Sequence, residues 1–113
     1  MSNPSITIRS MDEPDLTRDA PNEHVDVLTV GDTTIGRVTA QPGWRWSESF
    51  GAESCDEAHA ALYVVSGRMG IRMNDGTEVE VGPGNFFYCP PGHDSWTLGD
   101  EPVVFLDVKP AAD

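Results

Sequence analysis

The sequence predicts an all-β domain, closed into a barrel or stacked as a sandwich. Three observations lead there. Short segments of alternating apolar and polar residues recur between Val25 and Val108, the period-2 signature of half-buried strands. Clusters of Gly, Pro, Asn and Asp separate them at intervals of about ten residues, the punctuation of an all-β fold. No stretch carries a convincing helical pattern of apolar residues.

Residues 1–24 are polar and broken by Pro4, Pro14 and Pro21, so they read as an N-terminal arm; residues 25–113 read as the barrel domain. Val25, Val27, Thr29 and Val30 suggest the first strand, closed by Gly31-Asp32. A second runs from Thr34 to Ala40 and ends at Gln41-Pro42-Gly43. Trp44 to Glu57 reads as a loop. Ala60 to Val65 is a nearly continuous apolar run, as expected of a strand buried on both faces. Met69, Ile71 and Met73 then alternate against Arg68 and Arg72. Asn74-Asp75-Gly76 is a hairpin signal, since these residues tolerate the positive φ that tight turns need. In the strand that follows, Val79 and Val81 are expected inward and Glu78 and Glu80 outward. Phe86 to Cys89, Trp96 to Leu98 and Pro102 to Val108 complete the set.

Composition narrows the function. The chain has 113 residues, enough for one domain and one core, and a formal net charge of −12. Phosphate-backbone binding requires clustered Lys and Arg, which are absent here, so neither nucleic acid nor an anionic membrane is an expected partner. No apolar run approaches the ~20 residues of a membrane span. The N-terminus lacks a signal-type apolar stretch, and a cytoplasmic location is expected. Cys55 and Cys89 make no disulfide framework and read as free thiols. Cys89 lies in the apolar run Phe86-Phe87-Tyr88-Cys89 and is expected to be buried. Cys55, in a polar loop, is the more reactive candidate.

From Gln41 to Val108 the sequence resembles the cupin family. Gly84, Pro90 and Gly92 fall in the places of the second cupin motif, in Gly84-Asn85-Phe86-Phe87-Tyr88-Cys89-Pro90-Pro91-Gly92-His93. Tyr63-Val64-Val65-Ser66-Gly67 is similar to the close of the first motif. The segments Pro42 to Glu48 and Pro90 to Trp96 are similar to those of a group of small bacterial cupins. The resemblance implies a cupin-type β-barrel (a double-stranded β-helix, or jelly roll), a small-molecule ligand and, as is common in small cupins, a homodimer. Gly67, Gly84 and Gly92 suit the turns of such a fold because glycine adopts positive φ without penalty.

In that family a metal is held by two His and one Glu of the first motif and one His of the second. The corresponding positions here are Ser49, Gly51, Ala60 and Ser95. None is an ordinary ligand for a divalent cation, so by position the usual metal site is missing and no cofactor is expected. Glu48, His59 and His93 stand one, one and two residues from those positions. On a strand a one-residue step reverses the side chain, which turns His59 away from the face of Leu62 and Val64 unless the register shifts by one.

Two kinds of chemistry remain. In the first, His93 and Glu48 act as an acid–base pair on a small metabolite, as isomerase, cyclase or lyase, with Asp94 placed to orient His93. Trp44, Trp46, His59, Tyr63 and Trp96 then form the ligand-binding mouth. In the second, a rearranged set from Glu48, Cys55, His59 and His93 holds a metal, as in a metal-dependent enzyme such as a dioxygenase. A binding domain without catalysis is the third alternative.

Overall fold

Nine strands and one short helix form where the turn residues divide the chain, in a computed structural model that describes residues 5–110. The strands are β1 (Leu16–Ala20), β2 (Glu23–Val30), β3 (Thr33–Ala40), β4 (His59–Ser66), β5 (Arg68–Met73), β6 (Glu78–Val81), β7 (Phe86–Cys89), β8 (His93–Leu98) and β9 (Val103–Pro110). Helix α1 spans Trp46–Phe50. Every pairing is antiparallel. One sheet has the order β1-β2-β3-β9-β4-β7, and a smaller one β6-β5-β8. The all-β cupin-type barrel expected from the sequence is the fold observed.

Three local expectations need correction. Residues 16–20, part of the segment read as an arm, pair along β2. The turn between them is made by Asn22 at φ 61, an asparagine in the left-handed region that it tolerates better than most residues. The Trp44–Glu57 loop contains α1, a single turn too short to show a periodic pattern. Val79 is half exposed whereas Val81 is buried, because β6 lies at the edge of the smaller sheet.

Trp44, Leu62, Val64, Met69, Ile71 and Phe105 build the core between the sheets. Removing a side chain of this size from water stabilises the fold by ~1.5–3 kcal/mol. The smaller sheet is also sealed on its outer side. A Cβ on Gly70 of β5 would lie 2.4 Å from the Trp96 indole, so only glycine lets that ring lie flat on the strand. The interior is not filled throughout, and the remaining space is the cavity described next.

Candidate functional site

A cavity of about 630 Å³ opens between the sheets, within the ~300–1,000 Å³ usual for small-molecule sites. Its wall is largely apolar and aromatic, with Trp44, Trp46, Phe50, Leu62, Phe87 and Phe105. The rings of Trp46 and Phe50 stack at 5.0 Å, and the Arg18 guanidinium lies 5.7 Å from the Phe50 ring. Helix α1 and strand β1 thus close one side.

Cys55, His59 and His93 meet on this wall. Their candidate ligand atoms all lie within 4.8 Å of one another, and each residue arrives by a different route. His93 opens β8, where it shares a face with Ser95 and Thr97. Its backbone is fixed by Gly92, at φ 90, where a Cβ would lie 2.9 Å from the Asn74 amide. Cys55 is stitched to the same place by the backbone. Its N–H donates to the His93 carbonyl at 2.7 Å, and the Gly92 N–H donates to the Cys55 carbonyl at 2.7 Å.

His59 arrives through a β-bulge. Its partner on β7 is Cys89, whereas Leu62 is paired with Phe87. Between these pairs β4 advances three residues and β7 two, so the extra residue reverses the alternation. His59 thereby joins Leu62 on the cavity wall, contrary to its parity in an unbroken strand. Ala60, at the usual glutamate position, is exposed.

The surroundings hold both imidazoles in place. His59 Nδ1 lies 2.9 Å from Asp107 Oδ2, which leaves Nε2 at 3.8 Å from Cys55 Sγ. His93 Nδ1 lies 2.8 Å from the Pro90 carbonyl oxygen, and so carries the proton. Among the described residues no hydrogen bond engages His93 Nε2. Burial holds His93 below the ordinary imidazole value, keeping it neutral, and pushes the Cys55 thiol up. Cys89, also on the wall, is pushed up to about 11 by burial. The trio could hold a divalent cation.

The other candidates divide. Trp44 and Trp46 line the cavity with His59 and His93. Glu48 lies on the exposed side of α1 and is not on the wall, so it forms no pair with His93; one helical turn carries it away from the face shared by Trp46 and Phe50. Tyr63 points outward and packs on Phe86, ring centroids 4.3 Å apart. Trp96 also faces outward, with the Arg45 guanidinium 4.7 Å from its ring. Both follow from alternation, since each neighbours an inward residue. Asp94 does not orient His93. It accepts hydrogen bonds from the Ser47 N–H at 2.9 Å and hydroxyl at 2.7 Å, and so anchors α1.

Among the wall residues that escaped the sequence reading are two with a buried, unpartnered carboxylate oxygen. Asp107 shares parity with Val103 and Phe105, and Glu23 shares it with Val25 and Val27. A carboxylate on the apolar face of a strand was the available signal.

The sequence pattern of the cupin domain matches residues 36–109. No curated protein matches the sequence. Among solved structures, the fold is similar to that of the polyketide cyclase RemF from Streptomyces resistomycificus, at 20% identity over 96% of this chain and 81% of that one, TM-score 0.70. KdgF from Halomonas sp. is similar at 19% identity over 86% of this chain and 87% of its own, TM-score 0.63. Oxalate decarboxylase from Lactobacillus farciminis shares 18% identity, with 87% of this chain covering 32% of the enzyme, TM-score 0.65. At these identities the likeness is one of fold. The motif match over 36–109, the antiparallel barrel and the interior cavity agree: the chain belongs to the cupin family.

Proposed function

We propose that this chain is a small-molecule cupin whose cavity holds a divalent cation through Cys55, His59 and His93 and binds an apolar, largely aromatic ligand beside it. The supporting observation is the convergence of three donor atoms within 4.8 Å. With zinc–sulfur and zinc–nitrogen bonds of ~2.3 and ~2.0–2.1 Å, tetrahedral ligand atoms are spaced about 3.5 Å apart. The Cys55–His59 separation of 3.8 Å is near that value. Thiolate and imidazole suit zinc far better than magnesium or calcium.

The outer partners fit the same reading. A carboxylate or carbonyl on the far nitrogen is the usual support of a metal-bound imidazole, and Asp107 and Pro90 supply one each. Three protein ligands leave a position open, where a bound cation supplies Lewis acidity toward a ligand carbonyl or hydroxyl. His59 and His93 present imidazole nitrogens, and the aromatic wall excludes water and orients the ligand. This is the rearranged set foreseen in the sequence, without Glu48.

Elemental analysis of protein purified without chelators tests the reading. About one zinc per chain is expected, as for a single three-ligand site. A chain that carries no transition metal and takes none up on dialysis against zinc would overturn it.

Two further expectations belong to the same proposal. The free thiols accord with a cytoplasmic location, where disulfides are rare. Phe86 and Tyr88 of edge strand β7 are exposed, as are Ile6 and Ile8 ahead of β1. An unpaired strand edge with apolar side chains is a site for pairing between chains, and supports a homodimer. A monomer mass in light scattering would overturn that part.

A further inference from the structure

Three buried polar side-chain atoms among the described residues have no hydrogen-bond partner: Asp107 Oδ1, Glu23 Oε1 and Trp44 Nε1. All three residues line the cavity. Asp107 belongs to the His59 cluster. The other two lie elsewhere.

Register places them. Glu23 opens β2 opposite Ala40, which is paired in turn with Val103 of β9. Val103 is four residues from Asp107. Trp44 follows Ala40 by four residues, and its carbonyl accepts the Thr97 N–H at 3.1 Å. Thr97 is four residues from His93. At ~3.3 Å per residue, both sheets put about 13 Å of strand between this pole and the Cys55–His59–His93 pole.

A buried polar atom without a partner is destabilising, and two on one cavity wall point to a group that binds there. Glu23 is 8% exposed and Trp44 3% exposed. The indole N–H can only donate, whereas the carboxyl can accept or, when protonated, donate. A hydroxyl suits either atom, since it can donate to Glu23 or accept from Trp44. Burial raises the Glu23 carboxyl above the ordinary range, with the neighbouring Arg18 opposing it. An anionic ligand group would meet a carboxylate in a poorly solvated place, which disfavours it.

We propose that Glu23 and Trp44 form a second polar subsite, at the end of the cavity opposite the cysteine–histidine cluster, which takes the neutral hydroxyl of an aromatic alcohol or phenol. The subsite deepens the functional proposal, since it rests on the reading of this cavity as a ligand site. It adds the substrate class: a planar apolar body carrying a hydroxyl.

The test compares naphthalene, 2-naphthol and 2-naphthoate by titration calorimetry on the full chain, zinc-loaded and EDTA-treated. Wild type is expected to bind 2-naphthol about tenfold more tightly than naphthalene, as one good buried hydrogen bond implies, and to bind 2-naphthoate more weakly than 2-naphthol. Glu23→Leu and Trp44→Phe are each expected to abolish the preference for 2-naphthol over naphthalene, with zinc content unchanged. The subsite is refuted if wild type shows no preference, if no compound binds, or if the preference survives in both variants. A preference that survives both variants but disappears with EDTA assigns the hydroxyl to the metal, so the subsite fails while the metal reading holds. A chain without zinc whose preference still depends on Glu23 and Trp44 gives the reverse.

Discussion

Two histidine–carboxylate clusters are anchored on the larger sheet, one through His24 of β2 and one through His59 of β4 and Asp107 of β9, and they differ in what they leave unpaired. On the outer face His24 spends both ring nitrogens, at 2.6 Å from Asp19 and 2.9 Å from Asp26. Asp26 also accepts from Arg37 at 2.9 Å and Thr17 at 3.0 Å. That cluster is complete. In the interior, His59 and His93 each spend one nitrogen on a protein oxygen; the other nitrogen of His59 lies 3.8 Å from Cys55 Sγ, and that of His93 has no hydrogen bond among the described residues. Asp107 keeps one oxygen without a partner. A polar cluster satisfied by its own chain stabilises; one left open and buried calls for an occupant.

Removing an inner imidazole should have the largest effect. His59→Ala or His93→Ala is expected to lower zinc affinity by well over ~100-fold, since loss of an outer partner alone lowers it ~10–100-fold. His24→Ala should leave zinc content unchanged. Equal retention of zinc by all three variants, measured by competition with a chromophoric chelator, would erase the distinction between the clusters.

Next comes Asp107→Asn. It keeps the shape but removes the charge that orients His59, and an affinity loss of ~10–100-fold is expected. The outer wall offers a structural counterpart in Gly70→Ala. The added methyl would overlap the Trp96 indole, with an expected destabilisation of ~1–3 kcal/mol and unchanged zinc stoichiometry. Thermal unfolding and elemental analysis together check it; loss of zinc without loss of stability would contradict the placement of Trp96 outside the cavity.

How much of this was legible in the sequence depends on which rule governed each residue. Turn chemistry located most strands, because Gly at positive φ is needed whatever packs around it. Alternation, applied strictly, would have put Tyr63 and Trp96 outside, but proximity to motif turns favoured the mouth. It misplaced His59 because a bulge depends on tertiary pairing, which one strand's sequence does not display. Cys55 was legible as a candidate but not as a neighbour of His93, since their contact is a bridge between loop backbone and β8. Glu23 was hidden by the reading of residues 1–24 as an arm.

The smallest expected effect concerns pH. Asp19 and Asp26 raise His24 above its ordinary value of 6.5. Its contribution to stability is therefore full below the unfolded-state pKa and is lost as pH rises through the higher folded-state pKa. Melting temperature should fall slightly across that window, and His24→Gln should flatten the profile. An unchanged slope in the variant would remove His24 from the account.

Whether Cys55, His59 and His93 share one cation is read out most directly by cobalt(II) titration of the metal-free protein. A thiolate-to-cobalt charge-transfer band that saturates at about one equivalent is expected, as a single three-ligand site requires. The band should persist in Cys89→Ser and disappear in Cys55→Ser. No charge-transfer band in wild type, or one that survives in Cys55→Ser, would contradict the shared site.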